Sequence, residues 1–241
     1  YEKPANIIVS KKRTLQAASA YKNTKTAVHN FASATNPGGG VKRGSNAQEE
    51  CLCRCSGLYV CLSTQTMWDG LYFCLNTDAM WKGFYYPHRN AHNPIHNDDI
   101  IYTPAVTVFK TDTEQPEIMD ASDWYNVDVI TCAAPNLRVK NNYNGKSSYN
   151  NAKKMTNDEL LKLHEKRLKR ILDTALSEDD ETIILGAFGC GAFMNDPQIV
   201  AQAAKNVIRE YLYSFKNIEF AVYCSPRDDR NYRIFDRVLK K

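Results

Sequence analysis

Twice along this 241-residue chain a short apolar run ends in a glycine-rich loop that leads into a helical pattern. Thr26 to Ala32 runs into Asn36-Pro37-Gly38-Gly39-Gly40, and a helix is predicted from Asn46 to Leu62. Thr182 to Gly186 runs into the loop Ala187 to Asn195, and a helix is predicted from Pro197 to Tyr213. Strand, loop and helix repeated in this order restrict the chain to an α/β fold, with helices on both faces of one sheet. In such sheets ligands bind outside the carboxyl ends of the strands, where both glycine loops fall.

The remaining pattern fits that class. Residues 11–25 have helical spacing. Ile100 to Tyr102 and Ala105 to Phe109 read as a strand or a strand pair interrupted at Pro104, and Val127 to Ala134 as a buried strand. Asn136 to Asn151 reads as a mobile polar insertion, Asn157 to Leu176 as an amphipathic helix with a basic outer face, and Ile218 to Cys224 as a closing strand. In the helix after the first loop, Ser45 or Asn46 is the expected N-cap, and Leu52, Cys55, Tyr59 and Leu62 form the buried stripe.

With 43% hydrophobic residues the chain can bury a core as one domain spanning 1–241. No run of about 18 apolar residues is present, and the opening YEKPANIIVSKKR lacks a signal-peptide core. An intracellular, cytoplasmic and soluble monomer is expected, nuclear if the source is eukaryotic, with its eight cysteines reduced. The net charge of +4 is too small to argue for duplex binding but suits an anionic nucleotide-like ligand.

Three glycines in a row allow positive φ and close approach of the main chain to a ligand. Gln48, Glu49 and Glu50 follow at a predicted helix start, which brings two carboxyls to that ligand. Adjacent helical residues diverge by about 100°, so the two glutamates are not expected to face each other. The second loop, Gly186-Ala187-Phe188-Gly189-Cys190-Gly191-Ala192-Phe193, offers amides and a helix N-terminus to a diphosphate. It matches neither the Walker P-loop nor the GxGxxG fingerprint.

Together these segments resemble a family, the macrodomain-fold poly(ADP-ribose) glycohydrolases of the compact microbial type. The resemblance rests on GGG followed by QEE across the seven residues Val41 to Ala47, and on NFASATNPGGG, ITCAAPN and GAFGCGAFMND in that order. The motifs lie within 27–225, with 1–26 as an N-terminal extension of the same domain. The resemblance implies a three-layer α/β/α macrodomain with a mixed sheet that binds ADP-ribose. Asn36, Gly38, Gly39 and Gly40 would line the distal ribose, Gln48 would join them, and Gly189, Cys190, Gly191, Ala192 and Phe193 would hold the diphosphate. The ring of Phe193 would pack on the ribose, with Phe188 as its neighbour.

It further implies hydrolysis of the ribose–ribose O-glycosidic bond without metal or cofactor, acting on poly(ADP-ribose) and ADP-ribosylated proteins and releasing ADP-ribose. One glutamate serves as acid and then base: Glu50 protonates the leaving oxygen and activates water, while Glu49 positions ribose hydroxyls. Acid duty needs a raised pKa, expected for Glu50 from burial and ligand contact. Rival readings are a non-catalytic ADP-ribose reader and a hydrolase of single ADP-ribose units on proteins.

Other clusters call for blander readings. Cys51, Cys53, Cys55 and Cys61 lack zinc-site spacing. His88, His92 and His96 sit among prolines, as in a polar loop, and Trp81, Phe84, Tyr85 and Tyr86 read as core packing.

Overall fold

The computed structural model describes residues 1–63, 81–138, 140–141, 147–148 and 155–240. Most of the insertion expected over Asn136 to Asn151, and the side chain of Trp81, lie outside the described residues. The central sheet has six strands: β1 (Asn6–Ser10), β2 (Thr26–Phe31), β3 (Ile100–Val108), β4 (Tyr125–Cys132), β7 (Thr182–Leu185) and β8 (Asn217–Ala221). Their order is β1-β8-β7-β2-β4-β3, and only the β3–β4 pair is antiparallel. Two short strands, β5 (Lys140–Asn141) and β6 (Ser147–Ser148), pair separately.

Strand alternation builds the layers. On β7, Ile183 and Leu185 join one core and Ile184 the other. The first core is capped by α5 (Asn157–Ser177), α6 (Pro197–Ile208) and α7 (Arg230–Leu239) through Ile171, Leu172, Val200, Ala201 and Phe235. The opposite core packs Val28, Val127 and Val129 against α1 (Thr14–Ala18), α2 (Gln48–Cys55) and α3 (Leu58–Ser63) through Leu15, Leu52 and Leu58. This is the expected three-layer mixed α/β/α architecture. The chain before residue 27 is integral to it, since β1 is an edge strand.

Helix ends follow local chemistry. Thr156 and Glu159 form a reciprocal capping box at α5, with Glu159 N–H donating to Thr156 Oγ1 at 3.2 Å and Thr156 N–H to Glu159 Oε2 at 2.9 Å. Asp196 caps α6 by accepting from Gln198 N–H, with Pro197 at the first helical position.

The single helix expected from Asn46 to Leu62 is two. Ser56 adopts extended φ/ψ and bridges to Val108, and Gly57 N–H donates to Thr107 O at 3.0 Å, so the edge of the sheet interrupts the helical ladder. The N-cap is Ala47, without a side-chain cap, and the Asn46 side chain accepts from Arg54 instead. Pro104 does not divide β3: a bulge between Thr103 and Val106, with Ala105 at φ 52°, absorbs it on the outer edge. The polar loop expected around the histidines contains α4 (Tyr86–Ala91), in which His88 is buried and Nδ1 lies 2.6 Å from Phe84 O. Phe84 and Tyr85 are buried, as expected, whereas Tyr86 is exposed. Among the described residues no helix is long and apolar enough to cross a membrane, and the seven described cysteines are free thiols.

Candidate active site

β2 and β7 are parallel neighbours, with Ala27 beside Ile183 and Val28 beside Ile184, so their C-terminal ends set the two glycine loops side by side. Between them opens a cleft of about 1160 Å³. Asn36, Gly39 and Gly40 line it from the first loop, and Gly189, Gly191, Ala192 and Phe193 from the second, with Gln48, Glu49 and Glu50 between.

The first loop folds back over the start of α2. Gly39 has φ +57°, and a Cβ there would lie 2.5 Å from Glu50 Oε1 and 3.0 Å from Glu49 Oε2. Both carboxyls therefore converge on one backbone position. This corrects the expectation from helical geometry that the two diverge: long side chains bend toward the turn that crosses the helix start. Gly38 lies beneath the cleft, against the Tyr59 ring and the Cys53 sulfur, and does not line it.

Gln48 fastens the helix to the sheet. Its Oε1 accepts from Phe31 N–H at 2.8 Å, and its Nε2 donates to His29 O at 2.7 Å and Thr14 Oγ1 at 3.1 Å, so both amide donors are spent within the protein. Glu49 is 3% exposed and accepts from Ser33 N–H at 2.7 Å and Asn30 Nδ2 at 3.4 Å. Burial pushes its carboxyl up to about 8 against the pull of those donors, and Glu50 adds a like charge. Glu50, 7% exposed, accepts from Gly40 N–H at 2.8 Å through Oε1. Its Oε2 is buried and has no hydrogen-bond partner among the described residues.

The second loop is stapled from below by Asn195. Its Nδ2 donates to Pro135 O at 2.8 Å, Gly189 O at 3.1 Å and Phe193 O at 3.3 Å, and its Oδ1 lies 2.9 Å from His164 Nε2. Gly189 has φ +77°, and a Cβ would meet Asn195 Nδ2 at 2.6 Å and Ala134 Cβ at 2.7 Å. The N–H groups of Gly189, Gly191, Ala192 and Phe193 have no carbonyl partner among the described residues, a set of donors suited to an anion. The helix N-terminus expected to join this cradle does not: Asp196 caps it and Pro197 has no N–H.

Besides Gly38, two residues expected at the ligand lie elsewhere. Phe188, 6% exposed, packs among the rings of His29, Phe31 and His164 in the core. Cys190 does not line the cleft; its thiol lies 3.8 Å from Phe188 O, and burial raises its pKa. Asn36 is held by a residue that its sequence neighbourhood does not announce. Arg89 on α4 donates from Nε to Thr35 O at 2.6 Å and from Nη2 to Asn36 Oδ1 at 2.7 Å. Neither Arg89 nor Asn195 carries a sequence signal for these tasks, because their partners lie far away along the chain or on the backbone.

The cleft continues past α1 to Arg13, Asp112, Glu114 and Tyr223. The Arg13 guanidinium stands 4.1 Å from the centre of the Tyr223 ring, and Tyr223 OH donates to Glu114 Oε1 at 2.9 Å. Among the described residues no group of three or more His, Cys, Asp or Glu side chains could hold a metal ion.

The family model for the catalytic domain of microbial-type PARG matches residues 1–69. Among curated proteins none matches the sequence. A structure of poly(ADP-ribose) glycohydrolase from Deinococcus radiodurans in complex with ADP-ribose is 30% identical, with a TM-score of 0.77 over 99% of this chain and 86% of that one. A second structure of that complex is 29% identical, with a TM-score of 0.78 over 99% and 85%. The glycohydrolase from Thermomonospora curvata bound to the inhibitor ADP-HPD is 29% identical, with a TM-score of 0.76 over 97% and 78%.

Proposed function

The chain belongs to the microbial-type poly(ADP-ribose) glycohydrolases, and from that premise we propose that the cleft takes the terminal ADP-ribose unit of poly(ADP-ribose) and that Glu50 cleaves its ribose–ribose bond. The observation that carries the reading is the state of the Glu50 carboxyl. One oxygen is fixed by Gly40 N–H, the other is buried with no hydrogen-bond partner among the described residues, and Glu50 lines the cleft between the two glycine loops.

Cleavage passes through an oxocarbenium-like transition state and needs a proton on the departing oxygen and a base for water. Glu50 gives its proton to the leaving ribose oxygen as the C1″–O bond breaks. The resulting carboxylate takes a proton from the water that attacks C1″, which returns the enzyme to its starting state. Glu49, held by Ser33 and Asn30, positions ribose hydroxyls. The free amides of the second loop hold the diphosphate, and Phe193 packs on the ribose.

On this reading residues 1–241 act as one catalytic domain, a monomer working on poly(ADP-ribose) attached to ADP-ribosylated proteins inside the cell. The free thiols suit such a reducing compartment. Gln48 supports the site by anchoring α2, and Phe188 by packing beneath it.

The test is incubation of wild type and Glu50→Gln with poly(ADP-ribose), resolving chain length and free ADP-ribose. Release by wild type alone supports both activity and residue. ADP-ribose binding without shortening of chains would favour a reader, or a hydrolase of single units.

A further inference from the structure

The turn that orients Glu50 is itself held from the helix that carries Glu50. Gly40 N–H donates to Glu50 Oε1 at 2.8 Å, and Gly40 O accepts from Arg43 N–H at 2.8 Å and Ser45 N–H at 3.2 Å. Ser45 packs on Gly40 so closely that a Cβ at Gly40 would collide with it. Arg54 lies four residues after Glu50 on α2, one turn along the same face. Its Nη1 donates to Ser45 O at 2.5 Å and its Nη2 to Asn46 Oδ1 at 2.7 Å. The contacts close a ring from α2 through Arg54, the Ser45–Asn46 corner and Gly40 back to Glu50.

We propose that Arg54 is a positioning residue for catalysis: by clamping the Ser45–Asn46 corner it keeps Gly40 N–H on Glu50 Oε1 and leaves Oε2 to the substrate. The proposal rests on the assignment of Glu50 as acid and base in the glycohydrolase reading.

The Arg54 charge reaches the buried Asp112 carboxyl only as a minor influence. Among the described residues Arg54 makes no ion pair, and both of its oxygen partners are uncharged. A planar guanidinium meets two acceptors at once, which the single ammonium of lysine does less well. The further Nη2 contact to Cys51 Sγ at 3.4 Å keeps the side chain along the helix. Alanine is the best helix former, so Arg54→Ala removes the clamp without weakening α2 through propensity.

Two measurements test this, one of them independent of turnover. Hydrogen exchange at the Gly40 amide should be faster in Arg54→Ala than in wild type, and guanidinium ion in the buffer should slow it again. On poly(ADP-ribose), kcat should fall about 10- to 100-fold, as displaced catalytic groups do, well beyond any loss of ADP-ribose affinity from Arg54 itself lining the cleft, and Arg54→Lys should recover only part of the rate. Unchanged Gly40 exchange would overturn the clamp whatever the rates do. Faster exchange with normal kcat would overturn its catalytic purpose, and parallel loss of binding and kcat would reduce Arg54 to a general structural role. A wild type inert on the polymer would remove the glycohydrolase reading instead, and exchange at Gly40 would still decide whether the clamp exists.

Discussion

The α-carbon of Gly39 faces the carboxyl of Glu50, and a side chain added there would begin 2.5 Å from Oε1. The same backbone has φ +57°, a region that costs an L-residue about 1–2 kcal/mol. Gly39→Val should therefore displace the glutamates as well as narrow the cleft. ADP-ribose affinity should fall about tenfold or more, for a penalty of at least about 1.4 kcal/mol, and turnover should be lost. Calorimetry and polymer hydrolysis check both, and wild-type values in either would show that the turn does not govern the carboxyls.

Replacing Glu50 by glutamine keeps an oxygen for Gly40 N–H but removes the group that exchanges a proton. Glu50→Gln should lower kcat by about 10²–10⁴, the range for a general acid–base residue, with ADP-ribose binding nearly intact. Normal turnover would move the chemistry to another group.

Asn195 joins three carbonyls and His164 beneath the second loop. Asn195→Ala would leave Pro135 O and His164 Nε2 without their partner, while Gly189 O keeps the residue 195 N–H and Phe193 O keeps Leu137 N–H, at a cost of about 2 kcal/mol or more for two unsatisfied buried groups. The loop would also lose preorganisation, so ADP-ribose affinity should fall with stability. Urea unfolding and calorimetry would show both losses. Wild-type stability would mean that the loop holds itself.

The parts of the site that were legible in the sequence are those where backbone chemistry dictates residue type. Gly39 and Gly189 need positive φ beside packed groups, and strand-loop-helix order placed both at one end of the sheet. Residues that act across the fold were not legible. Asn195 binds backbone oxygens, and Arg54 and Arg89 each bind one backbone oxygen and one asparagine amide, which impose no charged partner to read. Helical geometry failed for Glu49 and Glu50 because it describes where Cβ atoms point, while the turn at Gly39 collects the ends of two flexible side chains. Phe188 was misplaced for a related reason: an aromatic in a glycine loop can turn inward, and His29 and His164 make the inward pocket. The edge strand β1 and helix α7 escaped notice because their apolar runs are short and flanked by charge.

Stability should carry the signature of Glu49. Its pKa rises from 4.5 to about 8 in the folded protein, chiefly through burial. Below 4.5 both folded and unfolded chains hold the proton, and the group costs nothing. Between 4.5 and about 8 the unfolded chain releases the proton while the folded one retains it, so stability falls as pH rises and the full penalty is reached above about 8. Glu49→Gln removes the penalty while keeping an acceptor for Ser33 N–H. The variant should match wild type in Tm near pH 4.5 and exceed it increasingly up to pH 8. Buried His29 and His164 and half-buried His96 act on the acid side in both proteins: His29 is lowered to about 3, and His96 and His164 to about 4, chiefly by loss of solvation. They favour unfolding as pH falls below 6.5, where the unfolded chain takes up protons that the folded one refuses. Comparing the two proteins cancels that common slope, so a Tm difference that did not grow with pH would show that Glu49 is not held protonated by the fold.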